Sequence, residues 1–493
     1  MRMRCLGAAL VATGLVGAVA LAPGARAAEL ADDLRARRAE VREALGPETL
    51  FLQFSAPTRL YSNDVHYEYR QDSDLLYLTG IDQEGTVLVM LPGNRTKTEF
   101  LFVRDPDPRH EHRSGHLLTK AEARGASGIE DVRLLSELDG FVKSLMNRRP
   151  PGKRHSADHG EYAAFFDALK EGRARLALVF GPRPGPDEEL PPVYRFAEKM
   201  RQRLVGATLV DATDVVWGLR QVKTPYEQEV MRRSGKVSSN AHRAAMRATR
   251  PGRHEYEVEA ELEKVYLESG ARGWSYPSIV GSGPNATILH YERSRRKMED
   301  GDVLLIDAAA NYEGLTVDIT RTWPVNGRFS PEQADLWKLV LAAQEAGKKA
   351  AVPGNLTSDV EEATAAVVRK GLLELGLVTD AHSEQFRTWY THGVCHWIGM
   401  DVHDVGDCRR SLEPGMTFVI EPGIYIRESA LDQLPDTPEN RAFTEAVRPV
   451  VQRYKGIGVR VEDSFLLTED GLENLSKTVP RTVEEIESFM ASS

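Results

Sequence analysis

The sequence predicts an α/β (α+β) protein of two domains, the second assembled from two related halves. Short apolar runs alternate with helical patterns through residues 28–220, a mixed arrangement without a catalytic motif of its own. From residue 221 to 493 two helix pairs appear, each followed by apolar, strand-like segments. Those segments repeat one phrase, Glu299-Asp-Gly301-Asp-Val-Leu-Leu-Ile-Asp307 and Glu413-Pro-Gly415-Met-Thr-Phe-Val-Ile-Glu421. Each runs from a turn glycine through an apolar strand to a carboxylate.

The first 27 residues stand apart from this scheme. Arg2 and Arg4 form a positive start, Leu6 to Ala22 are almost wholly apolar, and Ala25-Arg26-Ala27 fits a small-x-small cleavage site. This order predicts a signal peptide cut after Ala27 and an exported chain, periplasmic or secreted. The alternative is an uncleaved anchor, for which the apolar run is barely long enough. Losing Arg2, Arg4 and Arg26 takes the formal charge of −10 down by three, to −13. No second long apolar stretch follows, so the mature chain is not predicted to span a membrane.

An acidic balance without a basic block argues against nucleic acid as the main partner, because phosphate binding needs clustered Lys and Arg. With 41% hydrophobic residues in 493, the chain can bury large cores without disulfides or structural metals. Cys5 leaves with the leader. Cys395 and Cys408 have the option of pairing in an oxidising compartment, yet Cys395 lies within a histidine cluster and reads as an unpaired apolar filler.

In the first domain, Thr86 to Pro92, Phe100 to Val103 and Leu176 to Phe180 read as strands, with loops over 152–160 and Gly181 to Pro186. In the second, helices over 226–250 and 255–270 are split by Pro251-Gly252, and helices over 331–351 and 357–376 by Pro353-Gly354. A histidine precedes each acidic strand end: His290 before Asp307 and His403 before Glu421. The repeat predicts two halves about a pseudo-twofold axis, each presenting a carboxylate to a shared centre.

Residues 303–322 read as a hairpin turning at Asn311 to Gly314. That register sets Asp307 directly opposite Asp318, with Cβ atoms about 4.5–5.5 Å apart. Like charges so placed after an apolar run need a cation, and a divalent metal is the natural one. Alone, either aspartate reads as a turn acceptor; further ligands overturn that. His392, His396 and His403 fall within 12 positions around glycines and Trp397. His392 and His396 have zincin spacing, but no Glu follows His392, so the His-Glu-x-x-His reading fails. Glu421 follows an apolar strand, and Glu462 sits within the alternating run from Val459.

The order Asp307, Asp318, His396, Glu421, Glu462 resembles the metal signature of the pita-bread peptidases: methionine aminopeptidase, Xaa-Pro aminopeptidase and prolidase. The resemblance covers about residues 225–470. It extends to the first domain, where Arg70-Gln-Asp-Ser-Asp-Leu-Leu-Tyr-Leu-Thr-Gly80 is similar to the aminopeptidase P N-terminal domain. Methionine aminopeptidase lacks that domain. The segments from Asp318 to Gly327 and from His392 to His403 resemble Xaa-Pro aminopeptidase more than prolidase. Creatinase shares the fold without the metal ligands, and none is missing here.

The resemblance implies a pita-bread catalytic domain and a dinuclear metallo-aminopeptidase acting on peptides with proline at position two, through a hydroxide held by both metals. Asp318 and Glu462 would bridge two divalent ions, Asp307 would complete one, and His396 with Glu421 the other. Hard or borderline ions suit this set, Mn²⁺ first, with Co²⁺ or Zn²⁺ as alternatives. Glu421 would take a proton from the nucleophile, His290 and His403 would contact substrate, and His392 and Arg460 would bind substrate or support the ligands. A homo-oligomer, dimer or tetramer, is also implied. The stretch Glu428 to Lys455 is longer than the bacterial enzymes suggest and reads as a polar rim loop. Two other readings remain: prolidase, restricted to Xaa-Pro dipeptides, and a non-catalytic peptide-binding relative.

Overall fold

Six strands organise the first domain. In the computed structural model, which describes residues 23–152 and 159–492, they lie in the order 131–134, 99–103, 87–90, 49–54, 174–178, 207–211. Strand Thr49–Phe54 runs antiparallel to Val87–Met90 and parallel to Ala174–Leu178, so the sheet is mixed. Leu50, Leu52, Val87 and Val89 feed one core, while Phe51, Leu88 and Met90 feed another. A sheet buried on both faces needs continuous apolar runs, and these are the runs visible in the sequence. The Phe51 face packs into a core shared with the second domain.

Of the expected leader, only residues 23–27 fall among those described, at the start of helix Pro23–Leu45. There Arg26 pairs with Glu313 at 2.8 Å and lies 5.9 Å from the Tyr226 ring. Part of the expected loop over 152–160 is likewise outside the described residues, and Gly181 to Pro186 carries no helix or strand. No described helix is long and apolar enough to cross a membrane.

The second domain repeats itself at the level of caps and turns. Thr224 accepts from Glu227 N, with Pro225 opening helix Pro225–Ala248; Ser330 accepts from Gln333 N, with Pro331 opening helix Pro331–Ala350. Both are capping boxes. Their partners are helices Glu255–Glu268 and Thr357–Glu374. Gly301 and Gly415 both take left-handed φ, +86° and +94°, which favours glycine. Asp302 N and Met416 N then donate to Glu299 O and Glu413 O, each at 3.2 Å.

From these matching turns spring the matching strands Val303–Asp307 and Thr417–Ile420. The first lies between Ile279–Ser282 and Thr320–Pro324; the second pairs with Asp463–Thr468. A bridge between Thr320 and Glu462 joins the two sheets where the acidic strand ends meet. This is the pita-bread arrangement.

Residues 428–455 differ from the expected rim loop. They form helices Ser429–Asp432 and Pro438–Tyr454. Phe443, Val447, Val451 and Tyr454 recur at helical spacing and are buried in the main core, so the segment is anchored by apolar packing. Cys395 and Cys408 are both unpaired.

Candidate metal centre

Asp307, Asp318, His396, Glu421 and Glu462 converge where the two sheets meet. Asp307 ends one strand, Glu421 follows its counterpart, Asp318 lies two residues before the strand Thr320–Pro324, and Glu462 forms the bridge just before Asp463–Thr468. A bridge between Trp397 and Phe418 carries His396 alongside the strand that leads to Glu421.

The hairpin register differs from the sequence expectation. Asp307 pairs with Thr320, two residues beyond Asp318. The turn is centred on Glu313 and Gly314, both left-handed at φ +52° and +82°, and closed by mutual bonds between Tyr312 and Leu315. Moving the turn by one residue shifts every cross-strand pair by two, which keeps side chains on the same face. The aspartates therefore still meet, diagonally. Tyr276 Oη joins them, 2.8 Å from Asp307 Oδ1 and also bonded to Asp318 Oδ1. Tyr276 carried no sequence motif and was not foreseen.

His396 Nδ1 donates to Trp397 O at 3.1 Å, which fixes the neutral tautomer from the bonding pattern. Nε2 then presents a lone pair to acidic oxygens: Glu421 Oε1 at 3.5 Å, Asp318 Oδ2 at 3.7 Å and Glu462 Oε1 at 3.9 Å. Glu462 Oε2 accepts from Thr320 Oγ1 at 2.7 Å, whereas Oε1 is buried without a partner. Acceptors facing acceptors across this gap call for a cation. The ligand atoms of Asp318, His396 and Glu462 lie within 4.8 Å of one another, and the oxygen-rich set suits a hard or borderline divalent ion.

Electrostatics agree. Burial pushes Asp318, Glu421 and Glu462 well above the usual carboxylate range, and neighbouring acidic groups push them further. Asp307 behaves oppositely: burial raises it, but the adjacent Arg460 guanidinium and the hydrogen bond from Tyr276 together hold it low. One cation against four carboxylates leaves most of the charge uncompensated.

Arg460 is 3% exposed and fully engaged. Nη2 donates to Asp307 Oδ2 at 2.6 Å, Nη1 to Tyr425 Oη at 2.7 Å and Nε to Thr320 Oγ1 at 3.0 Å. Tyr425 Oη stands 2.8 Å from His392 Nε2, and His392 Nδ1 is 2.6 Å from Gly393 O. The chain of donors thus runs from Arg460 through Tyr425 to His392, with Nδ1 of His392 protonated. The nitrogens of Arg460 and of His392 are thus each engaged by neighbouring groups of the centre. His290 and His403 are exposed at its mouth, and the His403 ring stands perpendicular to His396 at 4.4 Å between centroids.

Family comparisons match this geometry. Residues 229–469 match metallopeptidase family M24, and residues 34–153 match the aminopeptidase P N-terminal domain. The Xaa-Pro aminopeptidase of Escherichia coli is 34% identical over 93% of this chain and 98% of its own length. The chain belongs to metallopeptidase family M24, in its aminopeptidase P branch. The solved aminopeptidase PepP of Pseudomonas aeruginosa superposes with a TM-score of 0.79 at 34% identity, covering 94% of this chain and 98% of that one. The human Xaa-Pro dipeptidase is 35% identical over 89% of this chain and 88% of its own length. M24 membership makes the protein a metal-dependent hydrolase of peptides.

Proposed function

We propose that the protein is an Xaa-Pro aminopeptidase that releases the first residue from peptides with proline at position two. The observation that carries this reading is the buried cluster around His396 Nε2, with its unpartnered Glu462 oxygen, in a chain that matches an Xaa-Pro aminopeptidase over 93% of its length. Asp307, Asp318, His396, Glu421 and Glu462 would hold two divalent ions, Mn²⁺ first and Co²⁺ or Zn²⁺ as alternatives. Such ions supply an acidified water and a polarised scissile carbonyl.

The remaining work falls to the chain. Glu421, ionised once bound cations offset its burial and its acidic neighbours, accepts the proton of the attacking water. His290 and His403, at the open mouth, contact the substrate and stabilise the tetrahedral oxyanion. Arg460 holds Asp307, and Tyr425 links Arg460 to His392, so Asp307 keeps its aim without substrate. The Arg4-to-Ala27 order of the leader supports export, to the periplasm or the medium, and aminopeptidase P resemblance supports a homo-oligomer.

Similarity to the human dipeptidase supports a second reading, an enzyme restricted to Xaa-Pro dipeptides. Chelation followed by separate addition of Mn²⁺, Co²⁺ and Zn²⁺ tests the metal assignment on an Xaa-Pro-Yaa peptide. Recovery is expected to be greatest with Mn²⁺; full activity in the chelated protein would refute the metal centre.

A further inference from the structure

The first domain reaches the His403 segment through a buried cluster of charges. Arg220, 2% exposed, lies in the linker helix Thr213–Gln221. Its Nη1 donates to Asp74 Oδ1 of the first domain at 2.7 Å. Its Nη2 donates to Asp401 Oδ2 at 2.9 Å and to Asp404 Oδ1 at 2.5 Å. Lys223 Nζ takes the other oxygen of Asp404 at 3.0 Å. From the outer side, Arg70 Nη2 donates to Asp401 Oδ1 at 2.6 Å and to Met400 O at 3.0 Å, and Ser73 Oγ donates to Asp401 Oδ1 at 3.1 Å.

Three cations here meet three carboxylates, with Arg220, Lys223, Asp74 and Asp404 buried and Arg70 and Asp401 at the rim. Such a cluster is a poor source of stability but a good source of fixed geometry. What it fixes is the segment bearing His403. Asp401 and Asp404 flank that residue, and Asp404 N closes back on Trp397 O at 2.9 Å, beside His396. Among the described residues, the His403 ring makes no hydrogen bond of its own. Beside its contact with the His396 ring, its place is set by its backbone, which the two aspartates hold.

We propose that Arg70 and Ser73, bonded directly to Asp401, and Asp74, acting through Arg220 on Asp401 and Asp404, are positioning residues for His403. The first domain thereby takes part in catalysis as the anchor of one wall of the site. This rests on the reading of His403 as a substrate-contacting group. Misplacing such a group by about 1 Å costs up to about 10²-fold in rate.

The test is a double-mutant cycle between Arg70→Met and His403→Ala in the metal-loaded full-length enzyme, followed with a fluorogenic Xaa-Pro peptide. Arg70 is half-exposed at the rim, so its loss spares the buried part of the cluster. Arg70→Met is expected to lower kcat/KM about tenfold, with metal content and thermal midpoint unchanged. Arg70→Lys, which keeps one donor for Asp401, should recover part of the loss. In the His403→Ala background, Arg70→Met should cost less than about twofold. An equal loss in both backgrounds, or no loss in the wild-type background, overturns the proposal. Full activity of His403→Ala alone overturns the reading of His403 itself.

Discussion

Arg460 Nη2 donates to Asp307 Oδ2 over 2.6 Å, and this ion pair sets Asp307 apart from the other three carboxylates of the centre. With Tyr276, it favours the ionised form of Asp307 at a buried strand end, while its neighbours are pushed toward protonation. The contact spans two sheets, since Arg460 comes from the strand Gly458–Arg460 and Asp307 from Val303–Asp307.

Removing the guanidinium should loosen the ligand it aims. Arg460→Met is expected to lower metal affinity or kcat/KM by about 10–100-fold, as loss of a ligand's outer partner does. Arg460→Lys recovers only part, because one ammonium cannot reach Asp307, Tyr425 and Thr320 together. Calorimetric Mn²⁺ titration of the two variants checks this; wild-type affinity in both would refute it.

Asp318→Asn keeps size and removes charge at a residue that faces His396 Nε2 at 3.7 Å and is bonded to Tyr276 Oη. The expected result is loss of bound metal and at least about 10³-fold lower turnover, comparable with other losses of a key electrostatic group. Elemental analysis and steady-state kinetics read the two effects separately.

Much of this architecture was legible because it is local. The Pro251-Gly252 and Pro353-Gly354 breaks and the turn glycines Gly301 and Gly415 announce their helices and strands within a few residues. The hairpin register was read two residues off because Glu313 takes a left-handed φ, a position for which Gly, Asn or Asp is the usual signal. The helix Pro438–Tyr454 was readable from Phe443, Val447, Val451 and Tyr454, but its charged outer face masks that stripe. Tyr276, and the contact of Arg220 with Asp74 and Asp404, were not readable. They join residues far apart in sequence, and no local spacing marks such a pair.

Acid stability should carry the signature of His242. This ring is completely buried; burial lowers its pKa to about 4 from 6.5, although Ala308 O, 2.9 Å from Nε2, favours the charged form. The unfolded chain then takes up the proton first as pH falls, so this stability is present above pH 6.5 and lost between 6.5 and about 4. The shift corresponds to about 3 kcal/mol at the acid end. Urea unfolding at several pH values should show a steeper loss in wild type than in His242→Gln, and parallel curves would refute the assignment.

Export predicts a mature chain beginning at Ala28 or within a residue or two, without the Arg26 contact to Glu313. N-terminal sequencing of the protein from its native compartment decides this. An intact Met1 in the membrane fraction would contradict it.

The central claim, removal of one residue ahead of proline, is tested most directly by product analysis with Mn²⁺ on three peptides: Xaa-Pro-Yaa, Xaa-Ala-Yaa and Xaa-Pro. The bond before proline is a tertiary amide with no N–H and a restricted ring, so cleaving it demands a pocket shaped for that ring. The account predicts release of Xaa from Xaa-Pro-Yaa, little cleavage of the alanine peptide, and poor turnover of the dipeptide. Its free carboxylate would fall where a longer chain continues. Preference for Xaa-Pro would make the enzyme a dipeptidase, and equal cleavage of Xaa-Ala-Yaa would contradict the proline specificity altogether.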